Sequence, residues 1–139
     1  MFNQTLQLKN LQVLVVDSNR DSRDLLRMMF EEYDVETICT TSAFEALEIL
    51  PKIKPDLLIS EILLPDEDGY SLISKVRKFE IVRRVRIPAI ALTVCAREDD
   101  RVRALSAGFC YHLPKPFDID ELIAIAAQLM KHVQLMPSI

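Results

Sequence analysis

Short apolar runs alternate along this chain with longer segments whose apolar residues have a helical spacing. The first run, LQVLVV, is β-branched and almost wholly apolar, which is typical of a strand covered on both faces. Four more short runs follow, each separated from the next by a helical segment. The pattern predicts five strands, at residues 11–16, 35–40, 57–59, 87–92 and 111–113.

The segments between these runs carry helix start and stop signals. Ser42 begins a capping-box pattern at the second helix, and Pro51 and Pro55 bracket the end of that helix. Gly108, a usual residue after a helix end, stops the fourth helix, and Asp118 caps the fifth. We expect the first, third and fourth helices at residues 22–33, 70–79 and 98–107.

Alternating strands and helices are typical of an α/β fold with a parallel sheet and helices on both faces. In such sheets, ligands lie beyond the carboxyl ends of the strands. The candidates for chemistry are therefore the residues that directly follow a strand. They are Asp17, Ser18, Glu61, Thr93 and Lys115. We expect these side chains to meet at one edge of the sheet.

Each of these residues also has an ordinary structural explanation when it is taken alone. Asp17 could simply cap the first helix, because Asp is a favoured capping residue. Thr93 could be an ordinary strand-end residue, and Lys115 could be a solvated loop lysine. Two carboxylates, a hydroxyl and an ammonium at one sheet edge are much harder to explain by accident.

Length and composition indicate a single domain with a full apolar core. The chain has 139 residues, half of them apolar, and its net charge of −4 argues against broad nucleic-acid binding. Cys39, Cys95 and Cys110 lack the spacing of a disulfide framework or a zinc site. The N-terminus has no signal-peptide pattern, and no apolar run approaches the roughly 18 residues that span a bilayer. We expect a cytoplasmic location and no membrane partner.

Four segments together carry a resemblance to a known family. VLVVDSNRDSRDLL, PDLLISEILLPDEDGYSLISKVR, IPAIALT and AGFCYHLPKPFD resemble the receiver domain of two-component response regulators. The resemblance covers residues 11–133, with 1–10 as an N-terminal extension and 134–139 as a C-terminal tail that would begin a linker in a longer protein. It implies a flavodoxin-like (βα)5 three-layer sandwich with strand order 2-1-3-4-5.

The resemblance also implies a role for each strand-end residue. Glu61 falls where the family has the aspartate that accepts a phosphoryl group from a histidine kinase. Asp17 and Ser18 fall at the acidic pair that binds Mg²⁺, and the carbonyl of Leu63 falls at the backbone metal ligand. The chain therefore departs from the family pattern at two of these positions, with Glu in place of Asp and Ser in place of an acid.

The remaining positions follow the family more closely. Thr93 and Lys115 match the residues that contact the phosphoryl oxygens, and the resemblance implies a cis peptide bond before Pro116. His112, with Tyr111 just before it, falls at the aromatic switch position. The fourth helix, fifth strand and fifth helix would form the face that docks a kinase or an effector domain, or a second copy in a homodimer.

The two departures predict a change in chemistry. A hydroxyl at Ser18 removes one charge from the metal site, so we expect Mg²⁺ binding to be weak or absent. The longer side chain of Glu61 misplaces the attacking oxygen, and phosphoryl transfer depends on placement. The same length brings its carboxylate toward Thr93 and Lys115, where it would partly imitate a phosphorylated aspartate.

We therefore interpret the chain as a pseudo-receiver, a binding module that acts without phosphorylation and is not an enzyme. Alternatives remain open at this level: Glu61 could pair with Lys115 alone and lock an inert state, or the domain could still accept a phosphoryl group with weakened Mg²⁺ dependence. A scaffold without a regulated role is a further possibility. A flavin or nucleotide site is disfavoured, because the DSNRDSRD loop has no glycine.

We expect two charged segments to face solvent and to have no separate function. Arg83, Arg84 and Arg86 form a basic cluster that we expect to be solvated, with no direct nucleic-acid contact, since no aromatic residues are interleaved. The acids at residues 66–68 are expected to face water. Gly69, which follows them, is expected to adopt a backbone angle that other residues resist.

Overall fold

The computed structural model describes residues 8–135, which form five strands and five helices in strict alternation. The strands are β1 Gln12–Val16, β2 Glu36–Thr40, β3 Leu57–Ser60, β4 Ala89–Thr93 and β5 Tyr111–Pro114. The helices are α1 Arg20–Glu31, α2 Ala43–Ile53, α3 Gly69–Arg83, α4 Glu98–Ala107 and α5 Ile119–Leu135. All the elements predicted from the sequence pattern are present.

The strands form one parallel sheet in the order β2-β1-β3-β4-β5. This order and the alternation with helices are those of the flavodoxin-like fold, which confirms the predicted architecture. Because the strands are parallel, the residues after β1, β3, β4 and β5 all emerge at the same edge. The fold thus brings the strand-end candidates together.

Alternate residues of each strand pack on opposite faces, so the sheet separates two cores. Val13 and Val15 of β1 face a cluster built with α1 and α5. Leu14 and Val16 of the same strand face a second cluster built with α2, α3 and α4. Leu8 is fully buried in the first cluster, although it precedes the predicted start of the domain. The predicted tail at 134–139 lies outside the described residues except for the end of α5.

One helix ends where its sequence signals predicted and one is longer. Pro51 lies inside the last turn of α2, which ends at Ile53, between Pro51 and Pro55 as expected. α3 continues one turn past residue 79, and Arg84 ends it in the left-handed conformation. Arg77 stabilises that extra turn, because it pairs with Glu80 and donates to carbonyls outside the helix. No helix within residues 8–135 is long and apolar enough to cross a membrane.

Gly69 serves close packing and not an unusual backbone angle, contrary to the expectation from sequence. Its φ is not positive, whereas that of Gly108 is. A Cβ atom at position 69 would lie 2.8 Å from Cα of Ile62 and 2.9 Å from the carbonyl oxygen of Glu61. Glycine is therefore required for the start of α3 to approach the end of β3.

Candidate functional site

The structure brings together four of the predicted side chains at the carboxyl edge of the sheet. Asp17 follows β1, Glu61 follows β3, Thr93 ends β4 and Lys115 follows β5. Asp17, Glu61 and Thr93 are 3%, 5% and 0% exposed, so their polar atoms must be paired within the protein. Sequence reasoning located this cluster correctly, because parallel topology alone sends all four residues to one edge.

Glu61 lies at the centre of the cluster and its carboxylate is fully surrounded by donors. Its Oε2 atom accepts hydrogen bonds from the Thr93 hydroxyl, from the N–H of Ile62 at 2.7 Å and from that of Leu63 at 3.1 Å. Its Oε1 atom accepts from the N–H of Val94 at 3.3 Å. These donors form a small anion-binding pocket that the carboxylate itself fills.

The charge state of Glu61 follows from two opposed effects. Burial raises the pKa of this carboxyl, but the hydrogen bonds from Thr93 and Leu63 and the charge of Lys115 lower it by more. The pKa is therefore held below its ordinary value. Glu61 carries a negative charge at neutral pH in a site with almost no solvent.

Lys115 supplies the positive charge of the cluster. Its ammonium lies 2.7 Å from Oδ2 of Asp17 and 3.1 Å from Oε1 of Glu61. Burial lowers the pKa of Lys115, but its contacts with the two carboxylates outweigh burial and raise the pKa above its ordinary value. The lysine thus ties the end of β5 to the ends of β1 and β3.

The contact with the Lys115 ammonium holds Asp17 in place, and Asp17 does not cap the first helix. Its Oδ1 atom accepts from the N–H of Asn19 at 2.9 Å, and Asn19 is the residue that caps α1. Ser18 is exposed and donates to none of the site residues that the structure describes. The second metal position of the resemblance therefore contributes nothing to the buried cluster.

The donor set fits Mg²⁺ poorly. The two carboxylates that could bind a cation, Asp17 and Glu61, have the Lys115 ammonium between them, and it would repel a second cation. Mg²⁺ prefers carboxylate and water oxygens, and Ser18 offers only a hydroxyl. Residues 8–135 contain no group of three His, Cys, Asp or Glu side chains placed to hold a metal ion.

A short chain of hydrogen bonds leads from the site to the opposite side of β4. The N–H of Cys95 donates to the Thr93 hydroxyl oxygen at 3.0 Å. The carbonyl of Cys95 lies 2.7 Å from Nε2 of His112, which is 9% exposed. Tyr111, just before it, is 44% exposed. His112 is thus an inward, hydrogen-bonded residue beneath the surface of α4, β5 and α5. The peptide bond between Lys115 and Pro116 is cis, as the resemblance implied.

The acids at residues 66–68 do not simply face water, which corrects the expectation from sequence. Asp66 accepts from the N–H groups of Ala43 and Phe44, at 3.1 and 2.8 Å, and so caps the neighbouring helix α2. Glu67 pairs with Lys75, and Asp68 caps α3. The pKa of Asp66 is lowered by its hydrogen bond from Phe44. These contacts fix the loop that follows Glu61.

Sequence reasoning missed the backbone donors of the site. The N–H groups of Ile62 and Val94 are aimed at the carboxylate by the turns after β3 and β4. Any residue other than proline can supply such a donor, so the sequence carries no signal for it.

Comparison with known proteins identifies the family to which the chain is similar. A family model described as the response regulator receiver domain matches residues 13–127. The chain is 44% identical over 121 residues to an uncharacterized 14.6 kDa protein from the sodA1 3′ region of Leptolyngbya boryana, covering 87% of this chain and 91% of that one. It is 31% identical over 119 residues, 86% of this chain, to the regulatory protein AtoC of Escherichia coli, of which it spans 25%.

A solved structure extends the comparison to three dimensions. The receiver domain of the Francisella response regulator 1452 superimposes with a TM-score of 0.77 at 28% identity, covering 88% of this chain and 98% of that one. The sequence match, the strand order and the strand-end cluster all indicate the same family. The chain therefore belongs to the response regulator receiver family of two-component signalling.

Proposed function

We propose that this chain is a pseudo-receiver, a signalling and protein-interaction domain that works without phosphorylation at position 61. In this proposal the Glu61 carboxylate permanently occupies the place of a phosphoryl group. The domain then presents a constant surface to its partners and has no free-standing enzymatic activity. We place it in the cytoplasm, where two-component pathways act on soluble partners.

One observation carries the proposal: the buried Glu61 carboxylate contacts both Thr93 and Lys115. In an inert salt bridge Glu61 would contact Lys115 alone and leave the Thr93 hydroxyl free. The observed contact with both residues matches what a phosphoryl group would make at this edge, although a carboxylate carries about half the charge of a phosphate. This favours an active-like state over an inert one.

A working phosphoacceptor is less well supported by the same geometry. To attack phosphorus, a carboxylate oxygen needs a free lone pair that points toward the phosphodonor. Oε2 of Glu61 already accepts three hydrogen bonds, and Oε1 is held by Lys115 and Val94. Weak Mg²⁺ binding adds to the barrier, because the metal neutralises charge that develops during phosphoryl transfer.

The proposed docking face is built from α4, β5 and α5 and accepts a histidine kinase, an effector domain or a second copy of the chain. Thr93 connects the site to this face through Cys95 and His112. Tyr111 on β5 and Val102 and Leu105 on α4 offer it partly exposed apolar side chains. We propose neither a direct nucleic-acid contact nor a membrane contact for it.

The test is phosphorylation by a small donor. The chain is incubated with acetyl phosphate and Mg²⁺, and its intact mass is measured over time. We expect no gain in mass. The matched control is the double variant Ser18→Asp with Glu61→Asp, which restores the family's residues and should gain one phosphoryl group. A gain of one phosphoryl group on Glu61 of the unmodified chain would overturn the proposal.

A further inference from the structure

Two exposed surfaces outside the Glu61 site are complementary to each other. The first is the end of α3, which we call the α3 tip and define as Ile81, Val82, Arg83 and Arg84. Ile81 and Val82 are each 76% exposed, the highest values among the large apolar side chains that the structure describes. Two such neighbours at the end of a helix form an exposed apolar patch.

The α3 tip is also basic. Arg83 and Arg84 are exposed, and neither forms an ion pair with a carboxylate within residues 8–135. The Arg83 guanidinium lies over the Phe79 ring, 5.3 Å from its centroid, which holds this charge beside the apolar pair. The tip therefore combines apolar and positive groups on one exposed surface.

The second surface is a groove between α1 and α5. We call it the α1–α5 groove, and its volume is about 430 Å³. Its lining residues are Leu25, Met28, Met29, Glu31, Glu32 and Ile119. Met28 is 66% exposed and Ile119 is 43% exposed, so the floor of the groove is open and apolar.

The rim of the groove is acidic. Glu31 and Glu32 are exposed, and neither pairs with a lysine or arginine in the described part of the chain. Ile119 is flanked by three further exposed acids, Asp118 just before α5 and Asp120 and Glu121 in its first turn. The groove is therefore a concave surface with an apolar floor and a negative edge.

We propose that the α3 tip of one copy docks into the α1–α5 groove of a second copy. Apolar character and charge both match, with Ile81 and Val82 in the groove and the two arginines against Glu31 and Glu32. Complementary charges of this kind give orientation and speed to an encounter, and apolar burial gives affinity. A second copy is the natural occupant, because both halves of the match belong to this chain.

The two surfaces cannot meet within one copy. α3 packs on the core face that contains Leu72 and Val76, whereas α1 and α5 pack on the opposite face of the sheet. The contact is therefore head-to-tail, and each copy keeps one free tip and one free groove. Such contacts add copies one after another into rings or open chains, unlike a symmetric dimer. The proposal goes beyond the function of the Glu61 site and does not depend on it.

The experiment is sedimentation velocity of the full chain at rising protein concentration, at low and at high salt. We expect the sedimentation coefficient to rise with concentration at low salt and to fall back when salt screens the charges. The tip variant Arg83→Glu with Arg84→Glu and the groove variant Glu31→Arg with Glu32→Arg should each lose this rise. Mixing the two variants should restore it, because each reversed surface then faces an opposite charge.

The matched control is Lys52→Glu with Lys131→Glu, which changes net charge by the same amount and sign as the tip variant, at exposed residues outside both surfaces. This control should associate like the unmodified chain, and all variants should keep the same far-UV circular dichroism. A chain that sediments as a monomer at every concentration and salt would overturn the proposal. So would association that both variants retain, or a mixture that stays monomeric. Binding of a monomeric chain to anionic lipid vesicles, abolished by the tip variant, would reassign the tip to a membrane surface and also overturn it.

Discussion

The carboxylate of Glu61 accepts a hydrogen bond from the hydroxyl of Thr93, across the neighbouring strands β3 and β4. The same hydroxyl oxygen accepts the N–H of Cys95, so Thr93 is held from both sides. This relationship gives the Thr93 hydroxyl two hydrogen-bond partners within the site. The predictions below follow from it and from the charges around it.

Removing the charge of Glu61 should destabilise the domain. In Glu61→Gln, the amide nitrogen replaces one of the two carboxylate oxygens and cannot accept a hydrogen bond, so the donors at that position lose their acceptor. The Lys115 ammonium then keeps Asp17 as the one carboxylate it contacts in the site. Hydrogen bonds to charged groups are worth about 2 kcal/mol each, so we expect a loss of at least about 2 kcal/mol in the free energy of unfolding. Urea denaturation measures it. The control is Glu67→Gln, a more exposed pair with Lys75 that should cost less than about 1 kcal/mol.

Shortening Thr93 separates the role of its hydroxyl from that of its methyl group. Thr93→Ala leaves the Cys95 N–H and one lone pair of Glu61 without a partner, which should cost about 1–3 kcal/mol. It should also shift the imidazole NMR signals of His112, because Cys95 links the two residues. Thr93→Ser keeps the hydroxyl and should leave those signals in place. Equal shifts in the two variants would contradict the link.

The stability of the domain should fall at both extremes of pH. The pKa of Glu61 is lower in the folded state than its unfolded value of about 4.3, so its contribution is present above that pH and is lost as pH falls through the folded pKa. The pKa of Lys115 is raised above its unfolded value of about 10.4, so its contribution is present below that pH and is lost as pH rises through the folded pKa. Urea denaturation across a range of pH measures the loss of stability at low and at high pH. Glu61→Gln should make the loss at low pH smaller.

An added methyl group at Gly69 should displace the backbone of Glu61 and Ile62 at the end of β3. In Gly69→Ala the new Cβ would lie 2.8 Å from Cα of Ile62, which is backbone and cannot move aside without shifting the end of β3. We expect a loss of about 1–3 kcal/mol by urea denaturation. Ser74→Ala, at an exposed position of the same helix, is the control and should be close to neutral. A neutral Gly69→Ala would show that the helix start can move freely.

Mg²⁺ affinity should depend on the two departures from the family pattern. We expect the double variant Ser18→Asp with Glu61→Asp to bind Mg²⁺ at least about tenfold more tightly than the unmodified chain, since it regains a carboxylate and frees space beside Lys115. Isothermal titration calorimetry measures both affinities. Equal affinities would mean that neither departure governs the metal site.

The sequence alone determined the architecture and identified the four side chains of the buried cluster, together with Ser18, which lies outside it. Continuous apolar runs indicate strands buried on both faces, and apolar residues at helical spacing indicate helices. Strict alternation of the two is typical of a parallel sheet. A parallel sheet in turn sends every residue that follows a strand to one edge. Asp17, Glu61, Thr93 and Lys115 could therefore be placed together without coordinates.

Only the tertiary structure decided how these groups share their hydrogen bonds. Whether Glu61 contacts Lys115 alone or Thr93 as well depends on angstrom differences between strand ends and on the backbone donors of Ile62 and Val94. The roles of Asp66 and Gly69 also depend on neighbours distant in the chain. Local patterns specify what a residue can donate, accept or bury, whereas the packing of distant segments specifies which partner it finds.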